Sequence, residues 1–177
     1  MKKRTGSLTT KSWLWSLSFL LLIGCGYGFA PQGEYIDKRI SNVYVEPFGN
    51  KTAEPEVENY IRTAFIDQII QGKRFKTVPT IEQADAAISG SVLSLTTATL
   101  SYRNNVLAAE ERMYVTLEIS FRDKASGKII WSSRSIVGTT DYKLQDDVNP
   151  RPARRAAMTK LAKDTVENAY NLMMSDF

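Results

Sequence analysis

The sequence predicts an α+β fold, a two-layer sandwich in which two helices pack on one face of a mixed four- to five-stranded sheet. Two segments, residues 53–71 and the stretch from Pro152 onward, carry apolar residues at helical spacing. Between them, residues 112–122 alternate between apolar and polar side chains, which is typical of a strand with one buried and one solvated face. The predicted order is strand, helix, short strand, three-stranded meander, helix, and two amphipathic helices suffice to cover one sheet face.

The first half of the chain predicts a parallel strand–helix–strand unit. A strand is expected over residues 40–48, where Val43 and Val45 alternate with polar residues before Pro47 and Gly49 stop the ladder. A second, short strand is expected at residues 74–78. The two strands should be parallel if the helix between them is a crossover.

The joining helix is expected over residues 53–71. Thr52 is placed to cap it, Pro55 is tolerated in its first turn, and Gly72 supplies a stop. Its apolar residues form one stripe that is interpreted as core: Val57, Tyr60, Ile61, Ala64, Phe65 and Ile69.

The meander is predicted to contain three strands. The first covers residues 87–103, and a slip in its alternation indicates a bulge. The second is the alternating segment that ends at Arg122, and a hairpin turn at residues 123–127 leads into the third, over residues 128–138. In the third strand Trp131 and Val137 are expected to point inward, and Ser132 and Arg134 outward.

The closing helix is predicted to begin at Pro152, after a polar loop that reaches Arg151. Its apolar stripe is the second half of the expected core: Ala157, Leu161, Ala162, Thr165, Val166, Ala169, Tyr170 and Met173.

The charge of the chain argues against nucleic-acid binding. Its formal net charge is +4, but Lys2, Lys3, Arg4 and Lys11 lie in a leader that has no acidic residue. Removing them leaves 19 basic and 19 acidic residues, so the remaining chain lacks the basic field that an anionic polymer requires.

The composition also argues against catalysis. There is no histidine and only one cysteine, which removes the usual proton-transfer residue, the commonest zinc ligand and any thiolate cluster. Glu110 and Glu111 are neighbours on a strand, so they point to opposite faces and are interpreted as solvated charges. Ser132, Ser133 and Ser135 lack an activating base. The sequence predicts a protein that is not an enzyme and binds no cofactor or metal.

The first 24 residues are predicted to be a removable export signal. Four basic residues precede an apolar run that ends at Ile23, as in signal peptides. The 13 residues from Ser12 to Gly24 would form a helix of about 20 Å, shorter than the ~30 Å hydrocarbon core of a bilayer.

The segment Leu22, Ile23, Gly24, Cys25 resembles the lipobox of bacterial lipoproteins, which implies that Cys25 carries diacylglycerol and becomes the first mature residue. Several acyl chains hold a protein stably on a bilayer. An ordinary signal peptide followed by a free cysteine is the alternative. Residues 25–39 are interpreted as the lipidated N-terminus and a tether, and Gly26 favours outer-membrane delivery by analogy with other lipoproteins.

Four arginines are candidate binding residues on the predicted meander, because guanidinium groups match phosphate geometry with two hydrogen bonds. The alternative is that they are ordinary solvated charges that deter edge pairing. They are Arg103, Arg112, Arg122 and Arg134.

The chain resembles the LptE family of lipopolysaccharide-assembly lipoproteins over its mature length. The resemblance rests on the order of several short matches: Cys25, Gly26 and Tyr27; Val43, Val45, Phe48, Asn50 and Thr52; Ala84, Asp85, Ala86 and Gly90; Tyr102, Arg103 and Asn104; the strand to Phe121; Gly127, Ile130 and Trp131; Arg154 and Arg155.

This resemblance implies a single LptE-like domain over residues 40–177 that is held at the periplasmic face of the outer membrane by its acyl anchor. It would plug the β-barrel LptD, help that barrel assemble, and take part in lipopolysaccharide transport to the cell surface. A polar sheet face suits a barrel lumen. Arg103 and Arg134 match the basic residues through which the family is thought to bind lipopolysaccharide.

A periplasmic lipoprotein of another pathway is the rival interpretation. Proteins of the penicillin-binding-protein activator or curli-secretion type also join a Phe, Asn, Thr strand end to a helix and an Ala, Asp, Gly strand. The short tether favours the resemblance to the LptE family, since proteins of the activator type generally have a long disordered tether.

Overall fold

A computed structural model describes residues 35–103, 107–144 and 150–175; the side chains at positions 103, 107 and 108 are not among the described groups. The predicted export signal, Cys25 and most of the predicted tether therefore lie outside the described residues.

Six strands, two α-helices and one 3₁₀ turn make up the described part of the chain. The strands are β1 (Asn42–Val45), β2 (Gly49–Asn50), β3 (Lys76–Thr77), β4 (Ala86–Arg103), β5 (Leu107–Asp123) and β6 (Ile129–Lys143). The helices are α1 (Val57–Gly72) and α2 (Arg151–Ser175), and the 3₁₀ turn is Ile81–Gln83.

The strands form one mixed sheet in the order β3, β1, β4, β5, β6, with β2 also beside β4. β1 runs parallel to β3 and β4, while β4, β5 and β6 form an antiparallel meander. The predicted α+β class, the parallel unit and the meander are confirmed. The predicted strand count was slightly too low, because the chain pairs with β4 again as β2 after a break at Pro47, which has no backbone N–H. The prediction that Gly49 stops the ladder is therefore wrong.

Helix α1 begins later than the sequence predicted. Its N-cap is Glu56, which has φ 65° and makes no side-chain capping bond, so Pro55 precedes the helix. Thr52 is not the cap, because its N–H and hydroxyl both donate to Asn50 Oδ1 at 2.8 Å. Thr52 is thus used in a local turn with Asn50 instead of in a helix cap. The helix ends one residue later than predicted, because Gly72 is its last residue and the left-handed residue that follows is Lys73.

The core lies between the helices and one sheet face. The inward side chains of β5 are at most 1% exposed, as the alternation predicted: Met113, Val115, Leu117, Ile119 and Phe121. All eight residues of the stripe predicted for the last helix are buried in α2. In α1 the buried members of the predicted stripe are Val57, Ile61, Phe65 and Ile69, while Tyr60 and Ala64 are partly buried.

Strand β6 departs from the predicted inward register. Leu117 pairs with Ile136 and Ile119 pairs with Ser133, so β6 contains one extra residue between these pairs. Such a bulge reverses the faces of the residues beyond it. The prediction for Val137 is therefore wrong: Val137 is 55% exposed and Ile136 is buried. Before the bulge, Trp131 lies opposite Phe121 and packs against the core, and Ser132 is exposed, as predicted.

Candidate interaction face of the sheet

The sheet face opposite the helices is the candidate site, and it will be called the open face. It consists of cross-strand rows that the register brings together from β4, β5 and β6: Ala98, Arg112 and Asp141; Thr96, Tyr114 and Thr139; Ser94, Thr116 and Val137; Ser89, Ser120 and Ser132; Ala87, Arg122 and Ile129. The polar half of the β5 alternation produces this face, since successive strand residues point to opposite sides.

Hydroxyl groups dominate the middle of the open face. Three of its rows contain serine or threonine on at least two strands, and Tyr114 adds a phenol that is part of a side chain 36% exposed. Hydroxyls can both donate and accept hydrogen bonds. The open face therefore offers a hydrogen-bonding wall instead of an apolar one, as the sequence predicted.

Arg112 is held by Asp141 of the neighbouring strand. Its Nε and Nη2 donate to Asp141 Oδ1 and Oδ2 at 2.5 and 2.7 Å, the paired geometry of a guanidinium on a carboxylate. The hydrogen bond from Arg112 lowers the pKa of Asp141, and Asp141, followed by Tyr114, raises the pKa of Arg112. The charge of Arg112 is thus neutralised by Asp141, so Arg112 is less available to bind a phosphate than the sequence suggested.

Arg134 is exposed, as predicted, and lies in the β6 bulge. No ion pair joins it to a described residue. Across the bulge, Glu118 of β5 approaches Lys51, whose Nζ lies 3.8 Å from Glu118 Oε2. Arg122 is also exposed and has no ion pair within the described ranges. Among the candidate arginines whose side chains the structure describes, Arg122 and Arg134 therefore keep their charge available.

Arg103 and Arg134 are not brought together. Arg103 ends β4, where its backbone pairs with Leu107, and its side chain lies outside the described groups. The Arg134 bulge lies beside Glu118, which pairs with Ser91 on β4. The 12 residues from Ser91 to Arg103 correspond to roughly 40 Å of strand. At this separation the two arginines cannot bind the same phosphate group, so they would contact separate parts of a large molecule.

A second polar cluster, which the sequence analysis missed, lies where β5 and β6 approach the start of α2. The Tyr142 hydroxyl donates to Glu111, and Arg154 Nη2 donates to Glu54 Oε2 at 2.6 Å. Burial, then the bond to Glu111, raises the pKa of Tyr142 to about 12, so the phenol remains a donor at neutral pH. Glu111 is therefore not simply a solvated charge. The continued alternation of Thr140 and Tyr142 beyond Gly138 was the available signal.

Metal ligation finds no support in the part of the chain that the structure describes, which contains no group of three His, Cys, Asp or Glu residues placed to hold an ion. Neither α1 nor α2 is both long and apolar enough to cross a membrane.

The fold and the open face define a class of protein: a two-layer α+β domain that covers one face of its sheet with helices and leaves the other polar and accessible. A family model described as "LptE: Lipopolysaccharide-assembly" matches residues 40–173. Because this range is well over half of the chain, the protein belongs to the LptE family of lipopolysaccharide-assembly proteins. No curated protein sequence matches the chain.

Several solved structures share the fold. A lipoprotein B from Nitrosomonas europaea has 17% identity and a TM-score of 0.52, with 85% of this chain and 91% of that chain covered. A protein from Xanthomonas campestris has 8% identity and a TM-score of 0.53, with 76% and 84% covered. A PelC variant from Paraburkholderia phytofirmans, a dodecamer, has 16% identity and a TM-score of 0.50, with 77% and 91% covered. At these identities the likeness concerns the fold alone.

Proposed function

We propose that this protein is an outer-membrane lipoprotein that plugs the LptD β-barrel, assists its assembly and takes part in lipopolysaccharide transport to the cell surface. Membership of the LptE family supports the pathway. The proposal also includes lipidation of Cys25, removal of residues 1–24, and anchoring in the inner leaflet of the outer membrane. The protein acts by binding, without a cofactor.

The polar open face is the observation that carries the proposal. The lumen of a transmembrane β-barrel is lined by polar side chains, since the apolar ones face lipid. A plug must hydrogen-bond to such a wall. The hydroxyl rows, which include the row of Tyr114, and the mutually neutralised Arg112 and Asp141 offer donors and acceptors there without a large net charge.

Co-purification with the barrel tests this role. We expect full-length protein extracted from native membranes to recover LptD, and Thr96→Arg together with Thr139→Arg to reduce that recovery at least tenfold. Both threonines are exposed and flank Tyr114 in one row, so two long charged side chains would separate the open face from a wall at hydrogen-bonding distance. The readout is the amount of barrel per bait protein.

The matched control places the same two charges on the helix layer. Thr63→Arg with Gln71→Arg alters exposed positions of α1, and recovery of the barrel should be unchanged. Equal loss in both double variants, or no loss in the open-face variant, contradicts the plug orientation. Recovery of a peptidoglycan synthase or of a ring oligomer in place of LptD would favour the rival pathways.

Lipopolysaccharide contact is proposed at Arg103 and Arg134. We expect Arg103→Ala with Arg134→Ala to lower lipopolysaccharide binding by at least about a hundredfold, because a guanidinium–phosphate bond contributes about 1.5–3 kcal/mol at each site. Given their separation, each single variant should lose part of this and the two losses should add. Binding by the double variant equal to that of the wild type contradicts the assignment. Arg112→Ala is the control.

A further inference from the structure

Exposed cations form a row along one end of the sheet, at the strand ends and in the turns and segments beside them. Lys76 of β3 pairs with Asn42 of β1. Further across the sheet, Ala86 of β4 pairs with Asp123 of β5, and the hairpin after Asp123 leads to the start of β6. We call this end the basic rim, defined by five exposed residues: Lys38, Lys76, Arg122, Lys124 and Lys128. At about 4.8 Å per strand the row is roughly 20 Å wide.

The carboxylates near the basic rim accept hydrogen bonds from backbone groups of the protein. Asp85 Oδ2 accepts the N–H groups of Asn42 and Ser41 at 2.8 and 3.0 Å, which, in that order, lower the pKa of Asp85. Asp123 is 6% exposed and accepts the N–H of Ala125 at 2.8 Å. These acids are therefore engaged in holding the strand ends.

Arg39 offsets one of the negative charges of this acidic set. Its guanidinium binds Asp37 at 2.7 Å and also bonds to Asp123. Glu82 is an exposed acid beside the rim, and the Lys124 ammonium donates to its backbone carbonyl at 2.6 Å. In contrast, Lys38, Lys76, Arg122 and Lys128 have no ion pair with any described residue. The outward charge of the rim is thus positive, although the mature chain is neutral overall.

At the opposite end of the sheet, two arginines are held in ion pairs. There Arg112 is paired with Asp141 and Arg154 with Glu54. Unlike these two arginines, most cations of the basic rim have no ion pair with a described residue.

The chain leaves the domain at the basic rim. Ile36 and Ile40 are at most 2% exposed and fix the entering segment in the core, and Arg74 Nη1 binds the Ile40 carbonyl at 3.0 Å. Ten residues separate Cys25 from Tyr35, which limits their separation to about 35 Å even when fully extended. An anchor at Cys25 would therefore hold this end of the domain within about 35 Å of the bilayer.

We infer that the basic rim docks on the anionic phospholipid headgroups of the membrane that carries the Cys25 anchor. This inference rests on the lipidation proposed above. Clustered Lys and Arg residues near an anionic leaflet are attracted to its phosphates within about one Debye length. Ile129, which follows Lys128 and is 50% exposed, adds an apolar side chain at the same edge.

A proximity measurement on the anchored full-length protein tests the inference. Cys25 is the one cysteine of the chain, so after acylation a cysteine introduced by Ala125→Cys on the exposed hairpin at the rim carries a unique fluorophore. We expect quenching by headgroup-labelled lipid in bilayers of phosphatidylcholine with phosphatidylglycerol, and little in phosphatidylcholine alone or at high salt. A fluorophore at Lys143→Cys, at the other end of β6, should not be quenched.

Charge removal supplies the decisive variant. Lys76→Gln with Lys128→Gln should lower the ratio of docked to undocked protein about thirtyfold, from about fivefold per charge. The control removes the same charge elsewhere, at the exposed α2 residues Arg155 and Lys163 with Arg155→Gln and Lys163→Gln, and should leave quenching intact. An acylated protein whose rim fluorophore is unquenched, or equally quenched in both variants, overturns the docking alone. An unacylated N-terminus found by mass spectrometry overturns the docking and the proposed anchor together.

Discussion

Phe121→Ala is expected to lower the free energy of unfolding by about 3–5 kcal/mol. Phe121 lies on the inward face of β5, is fully buried, and packs against Phe75 with ring centroids 5.8 Å apart. It also lies opposite Trp131 of β6. Truncation would remove a ring that joins three strands and leave a cavity that neighbouring strands cannot collapse to fill. Urea unfolding followed by circular dichroism measures the change.

Tyr114→Ala on the same strand is the matched control, because it removes a ring of similar size from the open face. Tyr114 is 36% exposed, so its removal should cost less than about 1 kcal/mol. Should Phe121→Ala fail to fold, Phe121→Leu keeps most of the volume and is expected to cost less than about 1.5 kcal/mol. Similar losses for Phe121→Ala and Tyr114→Ala would mean that the faces of β5 have been assigned wrongly.

The sequence predicted those elements whose periodicity is continuous. Strand β5 alternates without interruption, and each of its predicted inward residues is buried. The stripe of α2 was predicted completely for the same reason, because a long helix with one buried side repeats its pattern over many turns. Burial then enforces what the pattern specifies, since a slip of one residue would expose the whole apolar set.

Bulges and caps were the features that the pattern could not specify. The extra residue in β6 reverses the faces beyond it, and nothing in the run from Ser133 to Val137 states where that residue is inserted. The start of α1 was misplaced because Thr52 has two competing uses, a helix cap and a bond to Asn50. Such choices depend on neighbours that are distant in sequence.

The candidate site was predicted as a face, but not as a set of contacts. Alternation indicated that Arg112 and Arg122 would share the outward side of β5, and they do. The ion pair between Arg112 and Asp141 depends on the β5–β6 register. Turns and bulges determine that register. The separation of Arg103 from Arg134 has the same origin. A sequence pattern therefore predicts which residues share a face more readily than it predicts the contacts between them.

Gly138→Ala is expected to destabilise the protein by about 1–3 kcal/mol, because α2 packs directly on the backbone of β6 at this position. A Cβ atom at Gly138 would lie 2.8 Å from Thr165 Cβ and 2.9 Å from Thr165 Cγ2, and closer still to its hydroxyl oxygen. Thr165 cannot easily rotate away, since it is 2% exposed and its hydroxyl donates to the Leu161 carbonyl at 2.6 Å. The helix or the strand would have to shift, and with it the packing that supports the open face.

Repeating the substitution in a Thr165→Ala background separates this collision from any intrinsic effect on the strand. Thr165→Ala removes the hydroxyl and the methyl group but keeps Cβ, so Gly138→Ala should cost clearly less there, with a coupling of about 1 kcal/mol between the two positions. An equal cost in both backgrounds would place the effect in the β6 backbone. Because β6 carries Asp141 and Thr139 on its other face, a helix shift caused by the added methyl group should also weaken barrel recovery, whereas the rescued double variant should restore it.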